Sequence, residues 1–357
     1  MTASEPNWRI IVDAIADPAV VIDSIGTVIH LNSLLVDLFP RARIGHSISL
    51  LSREPAFLEA MQMARGNDQR LVVQLHDRVP VERKISAMFT ALNLDEQGTG
   101  YPCCLIVFRD LTDQERHAQL RADFVANASH ALRTPLASLK LSVETLQGVG
   151  RDDVIYRKKF LDTMSAQADR MTQLIDDLMS LNRVEMRAHL SPRETVDVHE
   201  LLAQAVQSLK SLAESNGISI SLPASPDPVR VRGDSDELHQ VFLNLIQNGI
   251  RYGREGGSVS IHIDRHAGSP DGSQIAVKVK DTGIGIDRDH LPRLTERFYR
   301  VNASASRAKG GTGLGLAIVK HILSRHRGEL LIESELGKGS IFTVILPAML
   351  DTPPADH

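Results

Sequence analysis

Two long amphipathic stretches in the middle of the chain limit what this sequence can fold into more than any other feature. Between 114 and 146, apolar residues recur at Leu120, Phe124, Leu132, Leu136, Leu139, Val143 and Leu146, intervals that keep one face of a helix apolar. Pro135 falls inside this pattern, where it removes a backbone donor and is expected to kink the helix. Gly148 and Gly150 break the pattern. A second stretch places Phe160, Met164, Ala168, Met171, Leu174, Ile175, Leu178 and Leu181 on one face. Two such helices joined by a short loop form a hairpin. A lone hairpin cannot cover both apolar faces, so pairing with a second copy as a dimeric four-helix bundle is expected.

The flanking segments have a different texture. Residues 18–31 read as strand, turn and strand, with further strand candidates at 71–75, 85–92 and 104–108 and a helix at 52–65. That order implies an α+β domain. From about 190 to 350, helices at 198–214, 234–252 and 313–326 mix with strands at 219–222, 259–263, 275–280 and 341–346, an α/β sandwich with one sheet. At about 150 residues per domain, 357 residues suit this multidomain division: 1–112, 113–188 and 189–350, with 351–357 a disordered tail. A net charge of −4 gives no support to a general nucleic-acid binder. The two cysteines, Cys103 and Cys104, are neighbours, which excludes a disulfide framework and fits a reducing compartment. No window approaches the roughly 18 apolar residues of a spanning helix, and the first residues lack a signal-peptide core. The expected location is cytoplasmic, as a soluble chain or as the cytosolic portion of a membrane-anchored protein.

Four pieces in the third segment carry chemistry. Asn244 and Asn248 lie one helical turn apart and face the same way, and an Asn oxygen suits Mg²⁺. Asp281-Thr282-Gly283-Ile284-Gly285 follows a strand, where an aspartate can accept from an adenine amine and glycines admit a close ligand. Glu296-Arg297-Phe298-Tyr299-Arg300 comes next. Gly310-Gly311-Thr312-Gly313-Leu314-Gly315 then opens a helix, presenting amides and a positive dipole to phosphate. No GxxxxGK[ST] occurs, and the glycine run lacks the spacing of a dinucleotide fold.

In this order and spacing, the four pieces resemble the ATPase domain shared by histidine kinases, a common chaperone class, gyrases and mismatch-repair proteins. The resemblance implies ATP and Mg²⁺ as ligands. It assigns Mg²⁺ to Asn248 with Asn244 beside it, and places Arg251 and Tyr252 near phosphate and adenine. Asp281 would read the adenine amine, with Gly283 and Gly285 around it. Residues 288–312 would form a mobile lid, with Arg307 and Lys309 as phosphate contacts, and Gly311, Gly313, Leu314 and Gly315 would lie against the phosphates.

The run 124–136, Phe-Val-Ala-Asn-Ala-Ser-His-Ala-Leu-Arg-Thr-Pro-Leu, resembles the phospho-acceptor box of sensor histidine kinases. The resemblance makes His130 the nucleophile that takes the γ-phosphoryl of ATP and passes it to an aspartate of a response regulator. Arg133 belongs to the same box, and Thr134, one turn on, would orient water for dephosphorylating the regulator. One position departs: the family has Glu or Asp after the histidine, and this chain has Ala131. Loss of a general base typically lowers rate about 10²- to 10⁴-fold. The expectation is a kinase of reduced activity or an engineered variant, with the rest of the box and all four nucleotide pieces intact.

Residues 18–31 and the ending Phe108-Arg109-Asp110-Leu111-Thr112 resemble a PAS domain. The order PAS, hairpin, ATPase domain is most similar to the phosphate-regulon sensor kinases (the PhoR type). The resemblance implies a homodimer with a response-regulator receiver domain as partner, no nucleic acid, and a membrane only if an anchor lies upstream. The alternative from another class is a kinase-impaired ATP-binding phosphatase or scaffold acting on a response regulator. A chaperone or repair-type ATPase fits less well, because those enzymes carry a Glu base where Asn244 stands and lack the hairpin.

Overall fold

The structure, a computed structural model, describes residues 7–64, 70–77, 83–94, 101–148, 153–187, 190–224, 228–264, 274–301 and 311–349. It divides into two compact units, Met1–Val125 and Ala126–His357.

In the first unit, strands β1 (Ala19–Ile22), β2 (Val28–Leu31), β3 (Leu71–Asp77), β4 (Arg83–Leu94) and β5 (Tyr101–Asp110) form one sheet in the order β2-β1-β5-β4-β3. Strand alternation divides the apolar residues between its two faces. Val20, Ile22, Ile85, Phe89, Ile106 and Phe108 face helices α2 (Ser33–Leu38) and α3 (Pro55–Ala64), where Phe57 packs edge-on to Phe89 at 5.2 Å between centroids. Ala19, Val21 and Cys103 face the other way, with Trp8 and Val12 of α1 (Asn7–Asp13). The Asp110-x-Thr112 ending is a joint. Asp110 Oδ1 accepts from the Thr112 amide (2.9 Å), and Thr112 Oγ1 accepts from the Lys84 amide (2.9 Å), tying the start of α4 (Thr112–Gln147) to β4.

In the second unit, the part of α4 from Ala126 onward and α5 (Val154–Met186) are the two helices of the hairpin. Asp153 starts α5 by accepting from the Ile155 and Tyr156 amides. Helix α4 runs through Pro135 without interruption, the proline ring leaving the Ala131 carbonyl without its helical donor. Leu136 and Met179 are 56% and 62% exposed, apolar surface that one chain leaves uncovered. On the lower half of α5 the buried residues are Leu174, Asp177, Leu181 and Val184, one stripe turned toward the domain that follows.

That domain holds β7 (Ser219–Ser221), β9 (Ser258–Asp264), β10 (Gln274–Asp281), β11 (Glu329–Glu335) and β12 (Gly339–Pro347) in a sheet ordered β11-β12-β10-β9-β7, with only the β7–β9 pair parallel among the described strands. A two-stranded ribbon joins β6 (Thr195–Asp197) to β8 (Arg230–Arg232). Helix α7 (Ser235–Tyr252) packs against both α6 (Val198–Ser215) and α8 (Gly315–Arg325), and all three helices pack against the sheet. Asp197 and Asp234 cap α6 and α7. Helix α8 has no side-chain cap, so its leading amides remain for another acceptor.

Candidate active site

A first cavity lies between α7, the end of β10 and the start of α8. Asn244, Asn248, Arg251 and Tyr252 all line it, because positions i, i+4, i+7 and i+8 share a helix face. The Nδ2 of Asn244 is buried with no partner, a donor left waiting for an acceptor such as a phosphate oxygen. A Cβ at Gly315 would stand 3.0 Å from Asn244 Oδ1, so the glycine there lets the uncapped end of α8 approach this carboxamide. Asp281 also lines the cavity, and its Oδ1 accepts from the amides of Gly283 (2.8 Å) and Ser340 (3.3 Å). Burial pushes the Asp281 carboxyl above its usual range, and those amides pull it back. Gly283 thus serves through its amide and does not itself line the cavity. Gly285 does line it. Its φ of +70° suits glycine, and a Cβ would fall 2.0 Å from the Glu335 carbonyl.

The loop before α8 is held by the segment 297–300. Phe298 adopts a φ of +64°, uncommon for a bulky residue, and its amide donates to the Gly313 carbonyl at 2.8 Å. The Arg300 guanidinium donates to the Gly311 carbonyl. Gly311, Gly313 and Gly315 line the cavity, whereas Leu314 is fully buried beneath it, its amide bonded to Thr312 Oγ1 at 3.3 Å. His290 Nδ1 meets the Tyr299 hydroxyl at 2.6 Å, and the Arg293 guanidinium lies 4.3 Å from the Tyr299 ring centroid. Arg307 and Lys309 lie outside the described residues, as does 351–357.

His130 opens onto a second cavity, with Asn127, Ala131 and Thr134 from α4 and Arg170 and Leu174 from α5. Its far wall is Phe298, Arg300 and Thr312. Arg300 and Thr312 also line the first cavity, so the two share a wall. Thr134 Oγ1 donates to the His130 carbonyl at 3.4 Å. Arg133 is exposed and lines neither cavity.

Helix α5 contributes what sequence reasoning missed. Gln173 and Asp177 line the first cavity, and Thr312 Oγ1 donates to Asp177 Oδ2 at 2.6 Å. Below them, Ser180 donates to Gln240 at 2.6 Å, and Arg297 pairs with Glu185. An acid among the apolar positions Leu174, Leu181 and Val184 was the available signal.

A buried aspartate at a strand end, a partnerless carboxamide and an uncapped glycine-rich helix start make a cradle for a phosphorylated base. A histidine stands across the shared wall. Residues 233–350 match the family described as histidine kinase-, DNA gyrase B- and HSP90-like ATPase, and residues 120–187 match the His Kinase A (phospho-acceptor) domain. The phosphate regulon sensor protein PhoR of Pseudomonas aeruginosa is 38% identical over 84% of this chain and 64% of its own length. The sensor-like histidine kinase SenX3 of Mycolicibacterium smegmatis is 38% identical over 69% of this chain and 63% of its own. The solved structure of the Acinetobacter baumannii histidine kinase AdeS aligns with 61% of this chain and 97% of that one at 25% identity, with a TM-score of 0.46. The chain spans under two thirds of the length of these two curated relatives. With both domains in place, the chain carries the phospho-acceptor and ATPase domains of histidine kinases, and over most of its length it is similar to the sensor histidine kinases PhoR and SenX3.

Proposed function

We propose that this protein autophosphorylates His130 from ATP and passes the phosphoryl group to an aspartate of a response-regulator receiver domain. The observation that carries this is the wall of Arg300 and Thr312 shared by the His130 cavity and the nucleotide cavity. The Nε2 lone pair of the neutral imidazole attacks the γ-phosphorus. The bond from that phosphorus to the β,γ-bridging oxygen breaks, and ADP leaves with the electron pair. The Nδ1 proton goes to solvent, since Ala131 offers no carboxylate to receive it. In the second step the P–N bond breaks as a carboxylate oxygen of the regulator bonds to phosphorus. Both cavities are built by one chain, which supports transfer within that chain.

In the nucleotide site, Asp281 would accept from the adenine amine, while Arg251, Tyr252, Gly285 and the loop Gly311, Gly313 and Gly315 would flank base and phosphates. Asn248 would hold Mg²⁺, with Asn244 beside it donating Nδ2 to a phosphate oxygen. The ion would supply positive charge to the phosphates. Arg307 and Lys309 would add phosphate contacts. Thr134 would orient water for dephosphorylating the regulator, and Arg133, exposed beside it, would serve regulator docking.

We assign 1–112 to a PAS-like sensory domain, supported by the β2-β1-β5-β4-β3 sheet and the Asp110-x-Thr112 joint, 113–188 to a dimerising hairpin and 189–350 to the ATPase domain. Exposed Leu136 and Met179 support pairing of two hairpins. No helix among the described residues is long and apolar enough to cross a membrane. Ala131 favours a second reading, in which the chain binds ATP but acts mainly as a phosphatase or scaffold on the regulator. Labelled ATP and Mg²⁺ separate the two. Acid-labile label that peptide mapping places on His130 supports the kinase, and ATP binding with no label on the protein refutes it.

A further inference from the structure

A carboxylate in the wall of a phosphate-binding cavity calls for an explanation, since it repels the ligand. Asp177 is 5% exposed, on α5, in the helical hairpin rather than the ATPase domain. Both its oxygens are used: Oδ1 accepts from Gln173 Nε2 at 2.9 Å and Oδ2 from Thr312 Oγ1 at 2.6 Å. The Thr312 hydroxyl in turn accepts from the Leu314 amide. Its single proton therefore goes to Asp177, and its lone pair faces the start of α8. Burial raises the Asp177 carboxyl above its usual range, opposed by these two bonds and by the charge of Arg251. The bond to Thr312 thus favours the ionised form of this carboxyl against the effect of burial. Thr312 is also one of the two residues common to both cavities.

We infer that Asp177 is a positioning residue for phosphoryl transfer, anchoring Thr312 so that the glycine loop holds nucleotide facing the His130 of its own chain. Through this bond the hairpin sets the geometry of the nucleotide site, and tilting of α5 is felt at the loop. The inference rests on the kinase reading above. The step itself is unchanged: Nε2 to phosphorus forms, phosphorus to the bridging oxygen breaks, and Asp177 neither gains nor loses a proton.

The test uses the full chain with Asp177→Ala, Thr312→Val, the double variant, and Thr312→Ser, which keeps the hydroxyl. Single-turnover labelling of His130 at saturating ATP is expected to fall about tenfold in each of the first two, the worth of one hydrogen bond to a charged group. The double variant should lose no more than the worse single variant, because both remove the same bond. Thr312→Ser should recover most of the labelling rate that Thr312→Val loses. Hydrogen exchange gives a readout free of catalysis: amides at 312–315 should exchange about tenfold faster in Asp177→Ala, while those of β10 stay as in the parent. Losses that multiply in the double variant, or an unchanged labelling rate in Asp177→Ala, overturn the inference. If the parent chain takes no label, the kinase reading fails, and the exchange data still decide whether the anchor exists. Unchanged exchange at 312–315 overturns it.

Discussion

Arg325 closes α8 in a buried cluster whose loss has a calculable cost. Its side chain is 7% exposed and pairs with Glu237, itself 8% exposed, with Asp234 Oδ2 at 3.6 Å. Its Nε donates to the carbonyls of Leu190 (2.9 Å) and Arg187 (3.2 Å), where α5 gives way to the ATPase domain. Glu237 Oε1 is already buried without a partner. Arg325→Ala therefore leaves a buried carboxylate with no opposing cation and removes the guanidinium donor from the Leu190 carbonyl, while the Arg187 carbonyl keeps the Leu190 amide. Breaking a buried pair in this way costs about 3–5 kcal/mol. For a unit of this size that corresponds to a fall in melting temperature of roughly 10 °C. Circular-dichroism melts and urea titration measure it. Replacing both partners, Arg325→Met with Glu237→Leu, should recover most of the loss, because no orphan charge remains. A loss below about 1 kcal/mol for Arg325→Ala, or a double variant worse than the single, refutes the reasoning.

Other outcomes follow from the same geometry. Gly285→Ala places a Cβ 2.0 Å from the Glu335 carbonyl in a left-handed backbone. Affinity for a fluorescent ATP analogue should fall at least about tenfold, given roughly 1–2 kcal/mol for the conformation alone. His326 accepts the Asp234 amide at Nε2 (3.0 Å) and donates Nδ1–H to the Ile322 carbonyl (2.8 Å), so burial holds it neutral and lowers its pKa from 6.5. The unfolded chain then binds the extra proton first. Stability should be full above pH 6.5 and decline as pH falls from there toward the lowered folded value, and His326→Gln should flatten that part of a melt-versus-pH profile. Transfer within one chain predicts that mixing His130→Ala chains with Asn248→Ala chains yields no label. Label well above either variant alone would indicate transfer between chains.

Much of this was legible in the sequence because the signals were periodic. The 3.6-residue spacing from Leu120 to Leu146 and from Phe160 to Leu181 marked both hairpin helices, and the strand-turn-strand at 18–31 appears as β1 and β2. The missed strands lacked such signals. β6 and β8 are three residues each with one buried valine apiece, Val196 and Val231, and β11 is an edge strand carrying Glu329, Glu333 and Glu335. Asn244 and Asn248 stood out by their i,i+4 spacing, and Asp281 was joined to them by the resemblance of its Asp-Thr-Gly-Ile-Gly run to the ATPase family; all three line one cavity. Asp177 did not, since its partner Thr312 is 135 residues away and only the folded chain brings them together.

The most direct measurement of the central claim is the rate of label transfer from γ-labelled ATP to the protein, comparing the parent chain with Ala131→Glu and His130→Ala. Ala131 lines the same cavity as His130, so a carboxylate restored there can receive the Nδ1 proton. The account predicts acid-labile label that rises about 10²- to 10⁴-fold with glutamate and is absent in His130→Ala. Persistence of the label in His130→Ala, or no label from Ala131→Glu while nucleotide still binds, would contradict it.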